Sequence, residues 1–341
     1  PRADYVKQRH KNQFLPNQAF ERTLMEPKPT VKLTSFHLAG IIPVAGHKHD
    51  FGFQWDNVLM PIAENYTALE RSVMECAYAG CETIWIVCNE DVQPLIRHRL
   101  GEMVQDPIWY GRTLSLNPEE ERKQIPIYYV PVHPKDRDRV DCYAWSILHG
   151  ANTAYWISKQ MSVWVTPDKY YVSFPLSIYP ENAPRVHRKL ISSDNNFFFC
   201  YNGKTLKDGE YMGFTFGPED FIKSRQVIRK EGTREWKDSN NEIPTERLPF
   251  EKRWSARHFS LDKVFKPVII LESNTKELEW YHDLSSWDGY TGYFASEESK
   301  TIQRPYKGLL KYHEWNGLGV ENANKDNIGD TEHNNGSTES D

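Results

Sequence analysis

No stretch of the 341 residues approaches the ~20 apolar positions that span a bilayer, so a membrane-spanning helix is not expected. The opening segment "PRADYVKQRHKNQF" also lacks the apolar run of a signal peptide, and a cytoplasmic location is the expectation. Cysteine is scarce and odd in number: Cys76, Cys81, Cys88, Cys142 and Cys200 include no C-x-x-C pair. That argues against a disulfide scaffold or a Cys-rich zinc module and for buried thiols in a reducing compartment. Cys142 and Cys200 with His149 make no convincing thiol-catalysis set. G-x-S-x-G, P-loop and H-E-x-x-H patterns are missing too, which removes the motif-supported hydrolase, NTPase and zinc readings. There is no large charge excess either. A net charge of -5 gives no global field to recruit nucleic acid or an anionic membrane.

What is present is material for a sizeable core, with 39% hydrophobic and 13% aromatic residues. Residues 1–35 are polar and Pro-spotted and read as an extended N-terminal arm, a candidate contact for a protein partner. Residues 36–300 read as one domain carrying a charged insertion at 231–258, followed by an extension at 301–319. The segment 320–341 has almost no large apolar residues to offset chain entropy and reads as a disordered tail.

Inside the domain, strand and helix patterns alternate. "HLAGIIPVA", "ETIWIVC", "IPIYYVPV" and "KYYVSFPL" read as strands. "NYTALERSVMECAYAG" reads as a helix with a Thr67/Glu70 capping box, a Gly80 stop and a buried stripe of Leu69, Val73 and Ala77. "DVQPLIRHRLGE" and "DCYAWSILHGANTAYWISKQ" read as further helices, with Asp138 and Asp141 as helix-start residues. Later, "NNFFFCYNG", "GEYMGFTF" and "PVIILES" read as strands. "GPEDFIKSRQVIRK", with Pro218 in its first turn, and "SWDGYTGYFASEE" read as helices. Such alternation predicts an α/β fold with a mostly parallel central sheet and helices on both faces. Residues 38–45, 82–88 and 126–132 should be adjacent strands.

Ligands on such sheets bind at the carboxyl ends of the strands. The first of these ends is "IIPVAGHKHDFGFQWDNVLMP", where an apolar run meets a small-residue turn and then His47, Lys48, His49 and Asp50. His47, His49 and Asp50 are candidate metal ligands, Lys48 and the histidines candidate phosphate or sugar contacts, and an exposed polar loop is the plain alternative. From Lys223 to Arg257 ten Lys and Arg stand against six acids, with Trp236 and Trp254 interleaved. The interspersed acids favour a solvated, salt-bridged insertion; a strip that stacks and holds nucleic acid is the alternative.

In their order these elements resemble the sugar-phosphate nucleotidyltransferases, the nucleotide-sugar pyrophosphorylases built on a GT-A-like, Rossmann-related fold. "VAGHKHDF" holds the place of the family's Gly-rich loop and "DNVLMPI" that of its PKxLLPV segment. "TALERSVMECAYAGCETIWIV" is similar to its helix–AG–strand unit. "DRVDCYAWSILHGA" stands at its nucleotide-adjacent helix, "YYVSFPLSIY" at the strand ending in a metal-binding Asp, and "DGEYMGFTF" at the NAGIYVF strand. "EWYHDLSSWDGYTGYFAS" resembles W-x-D-x-G-T, whose Asp is the second metal ligand.

The departures fall on the chemistry. Phe51 stands near the place of the family's Arg, Asn57 at its Lys and Pro175 at its first metal Asp; Asp283 keeps the second. The resemblance implies an NTP or nucleotide-sugar over Ala45, Gly46, His47, Lys48 and His49, with Asn57 beside it. Lys48 and Asp283 are the implied catalytic residues, and Asp283 is the implied Mg²⁺ ligand. A sugar phosphate would attack the α-phosphate and release pyrophosphate. The same frame also suits a catalytically inactive scaffold or a GT-A-type glycosyltransferase. Asp283 reads equally as a cap for a helix beginning near Ser286. The Trp- and Asn-rich style, with rewritten motifs on an intact frame, suggests a viral source.

Overall fold

The computed structural model describes residues 36–46, 57–110, 123–132, 143–162, 165–234, 259–269, 274–305 and 308–311. Strand β1 (Leu38–Pro43) is buried along its whole length. The pair β2 (Pro61–Ala63) and β3 (Tyr66–Thr67) leads into helix α1 (Ala68–Ala79), and then β4 (Thr83–Asn89) follows. Next come α2 (Gln93–Leu100), β5 (Met103–Gln105), β6 (Gln124–Val132) and α3 (Tyr143–Met161). β7 (Lys169–Val172), β8 (Ser177–Ile178), β9 (Phe197–Cys200) and β10 (Phe214–Phe216) precede α4 (Pro218–Arg234). β11 (Asn274–Glu277), β12 (His282–Asp283) and α5 (Trp287–Ala295) complete the body.

Eight strands form one sheet in the order β11-β9-β10-β7-β1-β4-β6-β5. β7, β1, β4 and β6 run parallel, with Ile41 opposite Val172 on one side and Trp85 on the other. β10 enters antiparallel to β7 and β5 antiparallel to β6, so the parallel core carries reversed neighbours. The expected adjacency of 38–45, 82–88 and 126–132 is observed. Alternate residues feed two cores: Leu38, Ile42, Ile84 and Ile86 meet α1, while Ala39, Ile41, Trp85 and Val87 meet α3. α3 lies close because Gly150 faces the sheet; a Cβ there would stand 2.7 Å from a Val87 methyl.

α1 begins and ends for local reasons. Thr67 caps it, the Glu70 carboxylate returns to the Thr67 N–H, and Gly80 stops it at φ 95°. The Gly80 N–H reaches the Ala77 carbonyl and the Cys81 N–H the Cys76 carbonyl, bringing the Cys76 and Cys81 thiols together at the Schellman contact. Cys76, Cys81, Cys88 and Cys200 are buried and in no disulfide. Leu69, Val73 and Ala77 are buried as expected, but so are Glu70, Arg71, Ser72 and Glu75, since α1 is covered on nearly every side.

Two expectations change. "PVIILES" is no strand at its start: Lys266–Ile269 is a 3-10 turn, 270–273 lie outside the described residues, and the strand begins at Asn274. An apolar run of that length does not by its period separate strand from helical turn. Part of the extension after residue 300 also belongs to the body. Ile302, Leu309 and Leu310 are buried, and the Gln105 N–H donates to the Leu309 carbonyl at 3.0 Å. The arm 1–35, most of the insertion 231–258 (beyond Arg234), Asp138, Asp141 and the tail lie outside the described residues. Among the described residues no helix is long and apolar enough to cross a membrane.

Candidate functional site

The chain runs from β1 outward to β4 and β6, then returns to place β7 on the other side of β1. The carboxyl ends of β1 and β7 thus flank the switch point of the parallel strands, where sheets of this kind open a crevice. On the β1 side, the Val44 and Ala45 N–H groups both donate to the Val87 carbonyl, at 2.8 and 2.9 Å. The Ala45 carbonyl accepts from the Ser146 hydroxyl at 2.6 Å, and Gly46 turns the chain at φ 101°. These two N–H groups are therefore engaged inside the fold. A phosphate cradle of the Gly-rich kind has to draw on N–H groups from Gly46 onward. His47, Lys48 and His49 lie outside the described residues.

Asn57 opens the short 3-10 turn Asn57–Leu59 that returns the chain toward α1. It is only 2% exposed, and its Nδ2 has no hydrogen-bond partner among the described residues. On the β7 side, the Ser173 N–H donates to the Ile41 carbonyl at 3.1 Å, and Pro175 is buried in the turn that leads to β8.

The second predicted position arrives from far along the chain. β12 pairs antiparallel with β8, placing Asp283 opposite Ser177 and His282 opposite Ile178, and the Leu284 N–H reaches the Leu176 carbonyl at 2.7 Å. Asp283 and the Pro175 turn, the two places where the resemblance puts metal carboxylates, therefore lie side by side. Both Asp283 oxygens are engaged locally: Oδ1 accepts the Ser285 N–H at 2.9 Å and Oδ2 the Ser285 hydroxyl at 2.7 Å. The cap of α5 is Ser286, whose Oγ accepts the Gly289 N–H at 3.1 Å. Asp283 makes the turn before it.

Gly289 is required by space. A Cβ there would stand 2.0 Å from the Asp283 carbonyl oxygen, which is backbone and cannot swing aside. Gly289→Ala gains up to about 1 kcal/mol of helix propensity against about 1–3 kcal/mol of overpacking. The variant should therefore be less stable, as urea unfolding would show. An unchanged or higher midpoint would refute the close approach.

A hard cation such as Mg²⁺ takes near-octahedral oxygen ligands, commonly from one or two carboxylates. Here the first acid is Pro175 and the second is turned onto Ser285. No group of three His, Cys, Asp or Glu suited to a metal occurs among the described residues. The described residues do not fit Mg²⁺.

Beneath this junction lies a charged network that sequence reading missed. Arg71 and Glu75, both fully buried one turn apart on α1, pair at 2.6 Å. The Arg71 guanidinium also donates to the Ser177 carbonyl at 2.9 Å and the Tyr179 carbonyl at 3.0 Å. Glu75 accepts the Tyr171 hydroxyl at 2.6 Å and the Tyr179 hydroxyl as well. Burial, the largest influence, works against the Arg71 charge, but Glu75 together with Tyr179, Tyr66 and Glu181 holds the guanidinium above its ordinary pKa. Burial first, then Glu75, pushes the Tyr171 and Tyr179 phenols well above theirs. The available signal was "ERSVME", an i,i+4 Arg–Glu pair inside an otherwise apolar helix.

No protein-family model matches the chain, and no curated protein matches it. Solved structures that it resembles include sugar nucleotidyltransferases at low identity. A protein described as a glucose-1-phosphate thymidylyltransferase of Bacillus anthracis, in complex with sucrose, is 9% identical with a TM-score of 0.48, over 79% of this chain and 98% of that one. A UDP-glucose pyrophosphorylase complexed with UDP-glucose is 13% identical with a TM-score of 0.43, over 78% and 100%. A nucleoside-diphosphate-sugar pyrophosphorylase of Vibrio cholerae is 12% identical with a TM-score of 0.42, over 75% and 100%. At such scores the likenesses carry no argument. The α/β fold rests on the strand register and the functional reading on the chain's own residues. Nothing in these neighbours points to a virus.

Proposed function

We propose that this chain binds a nucleotide or nucleotide-sugar at the carboxyl ends of β1 and β7, on the frame of a sugar-phosphate nucleotidyltransferase. The supporting observation is that the Gly46 turn follows β1 and the Pro175 turn follows β7, the adjacent parallel strands at the switch point, with Asp283 brought beside the second turn by the β8–β12 pair. Binding is favoured over nucleotidyl transfer because phosphoryl chemistry requires neutralisation by cations and metal. Among the described residues the matching positions carry Asn57, Pro175 and a locally engaged Asp283. Lys48, with His49 beside it in sequence, is the candidate to meet a phosphate, and attack by a sugar phosphate with release of pyrophosphate is the second reading.

Calorimetric titration of the full chain with NTPs and nucleotide-sugars tests this. Millimolar ligand should give heat, and Lys48→Ala should weaken binding by about 1.5–3 kcal/mol, the scale of a hydrogen bond to a charged group. No heat with any of them, with or without Mg²⁺, would reduce the chain to a scaffold. Pyrophosphate release from NTP and glucose 1-phosphate would favour the enzyme instead.

A further inference from the structure

The Pro175 turn and the Asp283 turn come from segments over a hundred residues apart, yet they meet without a pair of acids to share a cation. With proline in the first position there is no like-charge repulsion to neutralise, and the backbones pair directly through β8 and β12. The β8 side of that pair is anchored by the α1 charge network. Ser177 opens β8 and Tyr179 follows its end, and both carbonyls face the Arg71 guanidinium. The planar Arg71 fork spans both, one Nη to each, at 2.9 and 3.0 Å. Glu75 balances the charge at 2.6 Å, and its other oxygen takes the Tyr171 and Tyr179 hydroxyls. The Tyr179 hydroxyl in turn accepts the Gly213 N–H at 3.2 Å, extending the anchor toward β10. The fit is tight there: a Cβ on Gly213 would stand 2.5 Å from the Tyr171 hydroxyl and 2.7 Å from that of Tyr179.

We infer that the polypeptide replaces a metal at this junction: Arg71 and Glu75 are the positioning pair that holds β8 against β12, and ligand binding in the adjoining crevice is independent of divalent cation. The second half of this inference rests on the nucleotide-binding reading; the first half does not. A conserved-charge change discriminates a positioning role from general stability. Lysine at position 71 keeps the cation but, as a point charge on a flexible stem, lacks the fork that spans both carbonyls.

Three measurements on the full chain test it. Melting temperature in millimolar Mg²⁺ or Mn²⁺ should equal that in EDTA. Amide exchange at Leu284, whose N–H closes onto Leu176, should speed up roughly tenfold or more in Arg71→Met/Glu75→Leu while β1 and β4 stay protected. Arg71→Lys should show a smaller increase at the same amide, which keeps the test open if the double variant fails to fold. Nucleotide-sugar affinity should be the same in EDTA and in Mg²⁺. A melting temperature raised by metal in the wild type but not in Asp283→Asn would overturn the inference. So would unchanged Leu284 exchange in the folded variants, or ligand binding seen only with metal. Absence of ligand binding in both conditions would sink the nucleotide reading alone, with metal titration and exchange still deciding the cross-link.

Discussion

Glu75→Leu is expected to cost about 3–5 kcal/mol of stability, the usual penalty for stranding a buried charge. The substitution leaves the Arg71 guanidinium fully buried, with two backbone carbonyls and the face of the Tyr179 ring but no counter-charge from Glu75. It also removes the acceptor of the Tyr171 and Tyr179 hydroxyls. Replacing both charges in Arg71→Met/Glu75→Leu should recover much of the loss, since apolar residues of similar volume often substitute for a buried pair at little cost. Recovery stays incomplete, because the Ser177 and Tyr179 carbonyls lose their donors at about 1–3 kcal/mol for each buried group left unsatisfied. Urea unfolding of the single and double variants measures both effects. A single-variant loss under about 1 kcal/mol, the scale of a surface pair, would mean that the two charges are hydrated in solution.

A steep loss of stability above pH ~10, the ordinary tyrosine pKa, is the other large effect expected. Burial, ahead of Glu181 or Glu75, raises the Tyr66, Tyr171 and Tyr179 phenols well above that value in the folded protein. In the unfolded chain they ionise near 10. Their contribution is therefore complete below the unfolded pKa and is lost as pH rises through it toward the folded value. Lys169 acts in the opposite sense over a lower window. Its ammonium donates to the Ile191, Ser193 and Asn195 carbonyls, yet burial pulls its pKa down to about 8 against the pull of Asp194 and Asp220. Between about 8 and ~10.4 the unfolded chain holds the extra proton, so that group adds stability as pH rises. Thermal melts should thus hold or improve slightly up to pH ~10 and then fall. Tyrosinate absorbance from the buried phenols should appear only together with unfolding. Full tyrosine ionisation in a still-folded protein would contradict the network.

Wherever a few neighbouring residues decide the outcome, the sequence was sufficient. Thr67, Glu70 and Gly80 set the ends of α1 through bonds spanning three to five residues, and the observed capping box and left-handed stop are the ones expected. Alternation of short apolar runs with helices likewise announced β1, β4 and β6 as neighbours, because each run is long enough to be a strand and each crossover is helical. At the site, Gly46, Asn57 and Asp283 could be singled out by their places in ordered motifs. Their partners could not. Arg71 reaches carbonyls 106 and 108 residues away, and its charge on a helix would ordinarily mark a solvated face. Only packing shows that α1 is enclosed on nearly every side, so that the charge must be paired inside. The role of Asp283 was likewise decided by tertiary structure. Its chemistry permits metal ligation or a turn, and the turn is built because β12 lies on β8 and Ser285 takes both carboxylate oxygens. The local code specifies backbone conformation through bonds a few residues long. Which polar groups share a buried space depends on contacts that cost chain entropy to close, and they exist only once the sheet has assembled.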